Sequence, residues 1–310
     1  IPLKIEKDNR VFPESNSSQT IIDCFLEKTK ALGIPVLKNH GVNSIKKQGD
    51  SWLVTTKEQQ FVCDAVVMAA GSSKKVWELS KALRHSIISP VPSLFTFNIK
   101  DFRIKDLLGI SVPNATVQLE DTTLEASGPL LITHWGMSGP AILKLSAFGA
   151  RVLAEKNYEY QVQVNWLSRP THKIVNVLLN LKKKHSKKQV IVRSPFEEIP
   201  KRLWERFVLA TTIKTPFNWA DVSHDQIDAL ANQLTKSVYI AKGKSTFKEE
   251  FVTAGGVDLR EINFKNFESK LQNNLFFVGE VLNIDAVTGG FNFQNAWTGG
   301  WLCAKALASR

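Results

Sequence analysis

Two short apolar runs end on glycine: Val66-Val67-Met68-Ala69-Ala70-Gly71 and Phe276-Phe277-Val278-Gly279-Glu280. In open parallel sheets, ligands bind beyond the carboxyl ends of the strands. A glycine at such an end lets a ligand approach the backbone closely. Ala70, Gly71 and Gly279 are therefore candidate ligand contacts. Glu280 adds a carboxylate able to accept hydrogen bonds from sugar-like hydroxyls. The loop that follows carries Asp285, then Gly289-Gly290, then Asn292-Phe293-Gln294 at the start of a helical pattern. Backbone N–H groups at a helix start, together with the helix dipole, suit an anion or an electron-rich carbonyl. The plainer reading of the same residues is a tight strand-to-helix turn that holds nothing.

Three further features carry chemistry on their residue types. His134 is a candidate proton donor, histidine being a residue type suited to that role; its setting, Trp135-Gly136-Met137-Ser138-Gly139-Pro140, equally suits a structural turn entering a helix. Arg10 can hold an anionic group, or simply be a surface arginine. The basic stretch Lys182, Lys183, Lys184, Lys187 and Lys188 can grip RNA phosphates, with Trp204 and Trp219 as stacking surfaces. It also reads as a solvated helix end.

Composition limits the classes open to the chain. Its 310 residues are 43% hydrophobic and 22% charged, the balance of a globular protein. No apolar run reaches membrane-spanning length, and no basic-then-apolar leader opens the chain. Cys24, Cys63 and Cys303 are too far apart for a C-x-x-C pair, so a disulfide framework and a metal site are not expected. A reducing, cytoplasmic setting fits. The net charge of +11 permits attraction to polyanions without specifying one.

The elements that must position these residues follow from periodicity. Ile21, Ile22, Phe25, Leu26, Thr29 and Leu32 predict a helix over 18–33, stopped by Gly33. Short strands are predicted at 34–37, 42–45, 51–56 and 60–63, the last two as a hairpin. The run 64–71 predicts a parallel strand buried on both faces, followed by a helix over 75–83. Residues 93–166 read mostly as strands, with one helix over 140–153. Helical spacing dominates 171–235. Strands return at 238–240, 251–253 and 275–280, and a closing helix spans 292–308.

The ordered landmarks resemble a known family. They are Asn9-Arg10-Val11-Phe12-Pro13, Ala69-Ala70-Gly71, Pro92-Ser93-Leu94, the stretch Gly128 to Pro140 containing His134-Trp135-Gly136-Met137-Ser138-Gly139-Pro140, Thr253-Ala254-Gly255-Gly256-Val257, and Gly279-Glu280 through Gly289-Gly290-Phe291-Asn292-Phe293-Gln294. This series resembles the bacterial FAD-dependent oxidoreductases typified by the HI0933-like and aminoacetone-oxidase-like proteins. The resemblance implies an α/β fold: a Rossmann-type FAD-binding domain interrupted by a β-barrel-like domain and a helical subdomain. On that plan residues 1–90 and 251–310 form the FAD domain, 91–168 and 236–250 the β-rich insertion, and 169–235 the helical subdomain. The family's opening strand and G-x-G-x-x-G turn have no counterpart here, so the FAD domain is expected to be N-terminally incomplete. This chain also has Ser72, Asn283 and Ala286 where the family pattern has glycine, aspartate and glycine.

The implied activity is FAD-dependent oxidation or reduction, with NAD(P)H as hydride donor and a small molecule as substrate. Some members are linked to reduction of uridine in ribosomal RNA, which makes ribosomal RNA an alternative partner, and an RNA-binding module an alternative function. A truncated, flavin-free remnant is the third reading. Oligomeric state is left open by the residues.

Overall fold

A computed structural model describes residues 1–7, 9–214, 216–244 and 252–310. The described residues divide into two compact units. Unit 1 holds Ile1–Ile88, Gly256–Ile284 and Gly289–Arg310; unit 2 holds Ser89–Gly255 and Asp285–Thr288.

Unit 1 opens with a two-stranded antiparallel ribbon, β1 (Leu3–Ile5) and β2 (Val11–Pro13). Helix α1 (Ser18–Ala31) follows, with the Ser17 hydroxyl accepting from the Gln19 N–H. The predicted helix is there, but none of its residues is buried; Ile22, Phe25 and Leu26 lie open. The expected strand over 34–37 does not form. A meander comes next: β3 (Ser44–Gln48), β4 (Ser51–Thr55) and β5 (Gln60–Cys63), all antiparallel. Its anchor is Trp52, fully buried on the face that alternation turns inward. Strand β6 (Val66–Met68) and helix α2 (Lys74–Ala82) complete this part. The long apolar run of 64–71 yields only this short strand, and Val67 remains 42% exposed rather than buried on both faces.

The chain passes between the units through β7 (Ile87–Ser93), and unit 2 then builds a closed six-stranded barrel. Its strands include β8 (Phe97–Ile99), β9 (Ser111–Leu119), β10 (Glu125–Ile132) and β11 (Gly136–Ser138). The predicted helix over 140–153 is two helices, α3 (Pro140–Phe148) and α4 (Ala150–Glu155), divided at Gly149. Strand β12 (Glu159–Asn165) precedes helices α5 (Thr171–Lys184), α6 (Lys201–Leu209) and α7 (His224–Thr235). Strand β13 (Ser237–Lys244) closes the barrel in the order β10-β11-β8-β13-β12-β9. Alternation fills the interior: Val117 and Leu119 of β9, and Val162 and Val164 of β12, are fully buried. The helices share that core, since Leu178, Trp204, Phe207 and Leu230 belong to the same apolar cluster as the barrel side chains. Residues 169–235 thus fall in unit 2 and share the barrel's core.

The chain returns through β14 (Val252–Val257), paired with β7. Phe251 and residues 245–250, placed by the sequence in a strand and in the β-rich insertion, lie outside the described residues. Unit 1 then adds β15 (Ile262–Asn263), β16 (Glu268–Ser269) and β17 (Leu275–Phe277). These form one sheet in the order β15-β16-β17-β6, with β17 parallel to β6 in the register Leu275 with Val66, Phe276 with Val67 and Phe277 with Met68. Helix α8 (Phe291–Ala308) ends the chain.

Candidate functional site

The parallel pairing of β6 and β17 brings the two glycine-ended runs side by side. The Val278 N–H donates to the Met68 carbonyl at 3.1 Å, so both chains leave the sheet at the same level. Gly71 and Gly279 each turn there with positive φ, +62° and +75°. That conformation favours glycine. Ala70 is exposed and Gly71 half-exposed, whereas Gly279 is buried.

Gly279 also faces the last helix: a Cβ placed on it would sit 3.6 Å from the Ala296 Cβ of α8. The turn Gly279–Val281 is pinned from below, because Trp77 Nε1 of α2 donates to the Val281 carbonyl at 3.0 Å. Sequence reasoning missed this tryptophan; its one signal was an indole inside a helix following the first glycine-ended strand. Glu280 is half-buried, and burial raises its carboxyl above the ordinary glutamate value. No hydrogen bond or ion pair to its carboxylate occurs among the described residues.

Gly290, in the left-handed conformation at φ +92°, is the N-cap residue of α8. No side chain caps this helix, and its first turn contains no acidic residue. The Gln294 N–H returns to the Gly290 carbonyl at 2.8 Å. The N–H groups before it lie at the positive end of the helix dipole. Asn292 is half-buried there; Phe293 is 74% exposed, and Gln294 turns its amide to Thr298 Oγ1 at 3.0 Å. In unit 1 the structure therefore brings Ala70 and Gly71 beside Gly279 and Glu280, with α8 packed on the Gly279 turn at Ala296.

The other predicted residues fare differently. Asp285 belongs to unit 2, where its Oδ2 accepts from Ser93 Oγ at 3.0 Å, so its carboxylate already serves a structural bond. Arg10 is exposed, its guanidinium 5.4 Å from the centroid of the Phe12 ring. His134 is exposed in the turn joining β10 to β11, closed by the Thr133 N–H to the Gly136 carbonyl at 2.9 Å. The structural reading of that motif has a direct cause in Gly136. A Cβ there would lie 2.3 Å from the Phe97 carbonyl oxygen, so β8 and β11 can pair only with glycine.

Of the basic stretch, Lys183, Lys184, Lys187 and Lys188 are exposed. Lys182 is half-buried and donates to the Val222 carbonyl. The expected stacking surfaces are not available: Trp204 and Trp219 are 0% and 4% exposed, and the Trp204 indole donates to the Val190 carbonyl. Large aromatic area drew both into the core. No cluster of metal-ligating side chains occurs among the described residues, and no helix among them is long and apolar enough to cross a membrane.

Parallel strands that end on positive-φ glycines, followed by helices, are the architecture of a Rossmann-type α/β unit. The chain belongs to the HI0933-like family, since the description "HI0933-like protein Rossmann domain" matches residues 1–306. A 3-dehydro-bile acid delta(4,6)-reductase of Clostridium scindens is similar to it, 23% identical over 97% of this chain and 76% of that protein. Ribosomal RNA dihydrouridine synthases of Haemophilus influenzae and Escherichia coli are each 25% identical over 94% of this chain, and over 73% and 72% of their own lengths.

Proposed function

We propose that the chain is the greater part of an FAD-dependent oxidoreductase that takes hydride from NAD(P)H and delivers it to a substrate. The observation that carries this reading is the adjacency of Gly71 and Gly279 at the ends of β6 and β17, with α8 packed on the Gly279 turn and no partner to the Glu280 carboxylate among the described residues. The residues present fit part of a flavin nucleotide. The first turn of α8 offers N–H groups to a ring carbonyl or a phosphate, and the positive-φ glycines leave the backbone bare for close approach. Glu280 accepts from ribityl or ribose hydroxyls. The flavin, when bound, supplies the hydride chemistry; the protein orients it and sets its electrostatic surroundings.

The cradle as described lacks a G-x-G-x-x-G turn, and the pyrophosphate calls for one. We infer that a further strand–turn–helix supplies it beside β6. Two observations support this. The relatives are longer than the share this chain covers. In addition, β6 is an edge strand, while Phe25 of α1 stacks on Trp297 of α8 at 5.4 Å with both rings about half exposed.

The test is the visible spectrum of the purified protein after FAD is added and the excess removed. Bound flavin bands are expected for a protein that includes the additional segment, and their loss on replacing Gly290 with leucine. Unchanged retention in Gly290→Leu would remove the α8 turn from the site. A colourless protein in both forms would leave the flavin-free reading in place.

A second reading, reduction of uridine in ribosomal RNA, draws support from the names of two relatives and from the exposed Lys183, Lys184, Lys187 and Lys188. The first relative's name points instead to a small steroid-like substrate.

A further inference from the structure

Unit 2 carries a polar groove of about 550 Å³ on the outside of its barrel, apart from everything the flavin reading uses. Its floor comes from strand alternation. Val117 and Leu119 turn inward on β9, so Gln118 turns outward; Val162 and Val164 do the same on β12 for Gln163. Pairing then aligns three outward side chains in one row across three strands, with Glu125 of β10 opposite Gln118 and Gln118 opposite Gln163. Directly opposed residues have Cβ atoms about 5 Å apart, so the carboxylate and the two carboxamides form a contiguous strip.

The wall carries two basic side chains and an imidazole. Arg169 and His172 flank the start of α5, and Lys236 follows the end of α7. Arg169 gives one N–H to Glu198 and keeps its remaining donors. His172 and Lys236 are exposed, and no hydrogen bond or ion pair to either side chain occurs among the described residues. The Gln163 carboxamide is half-buried and likewise without a partner there. A partly desolvated amide with nothing to bond is costly unless a ligand or water satisfies it.

We propose that this groove binds a nucleotide, free or within single-stranded RNA. Carboxamides offer a donor and an acceptor in one plane, which matches the edge of a nucleobase. Glu125 accepts from an exocyclic amine or a ribose hydroxyl. Lys236 and the remaining donors of Arg169 meet the phosphate, with the His172 ring beside them. The volume suits a mononucleotide-sized ligand. The site is independent of whether unit 1 holds a flavin.

Titration calorimetry of the protein with the four ribonucleoside 5′-monophosphates, with inorganic phosphate and with a short single-stranded RNA tests the proposal. At least one nucleotide is expected to bind about tenfold more tightly than phosphate. Gln163→Ala and Gln118→Ala should each remove about tenfold of nucleotide affinity while leaving phosphate binding unchanged; Lys236→Ala should weaken both. Thermal melts matching the parent protein establish that the variants fold. RNA binding far tighter than mononucleotide, and abolished in the same variants, assigns the groove to RNA; equal affinities assign it to the free nucleotide. Equal binding of phosphate and nucleotides, or no saturation by any of them, would overturn the proposal.

Discussion

His85 shows how a single residue couples to pH. It is 3% exposed, its Nε2 lies 2.8 Å from Ser269 Oγ, and its ring packs 4.7 Å from that of Phe277. Its Nδ1 has no hydrogen-bond partner among the described residues. Burial therefore lowers its pKa, against the opposing pull of the Glu261 carboxylate. In the unfolded chain the ring takes a proton near pH 6.5; in the folded protein it does so only at lower pH. Between those two values the unfolded state binds more protons, so stability rises with pH across that window and falls as pH drops through it. Denaturant midpoints measured between pH 5 and 7 should show this slope, and His85→Phe should flatten it. An equal slope in that variant would place the pH dependence elsewhere. The residues named from sequence divide on the same physical grounds. Glycines at strand ends were legible because their backbone role is local. The fates of Asp285, Lys182, Trp204 and Trp219 were not, because each is decided by a partner distant in sequence, such as Ser93 for Asp285 and Val222 for Lys182.

At the scale of elements, β11 is three residues long and yet joins β10 to β8 in the closed barrel. It works because Gly136 lets the two backbones meet. Gly136→Ala should cost upwards of about 2 kcal/mol, since the added Cβ would collide with main-chain atoms of Phe97 and Ile99 that cannot swing aside. Chemical denaturation measures this; a loss below about 0.5 kcal/mol would mean that the barrel relaxes at that seam. The helices of unit 2 were readable in advance because Ile174 and Leu178, Leu203 and Phe207, and Ile227, Leu230 and Leu234 keep the three-to-four spacing and are all buried. The same spacing in α1 forecast a helix, whose apolar face lies open, because periodicity marks a face without saying what covers it. The apolar run 64–71 misled for a related reason: composition announces a buried strand, while its exposure depends on how many neighbours flank β6.

For the whole molecule, the order of landmarks along the chain carried more than any local pattern. It pointed to a split α/β domain with a β-rich interruption, and the two units interleave in sequence in that manner. Charge is the other property of the whole. At +11, the chain should associate with RNA in a strongly salt-dependent way. Neutralising Lys183, Lys184, Lys187 and Lys188 together should reduce the slope of log affinity against log salt by about 0.7 for each phosphate that no longer meets a lysine. Filter binding across a salt series gives that slope; an unchanged value would assign the attraction to other parts of the surface.

The pairing of β6 with β17 has a consequence for how the protein is made. Val66 and Leu275 belong to strands translated far apart in time, and all of the barrel strands are synthesised between them. While the ribosome is still reading the middle of the message, β6 lacks its partner β17, and that edge stays open. The barrel and its helices, contiguous in the message, can fold first and draw the two flanks together, shortening the loop that the last strand must close. The pairing of β6 with β17 then comes after the barrel strands are made, and until it forms the nascent chain needs protection from its neighbours at that edge.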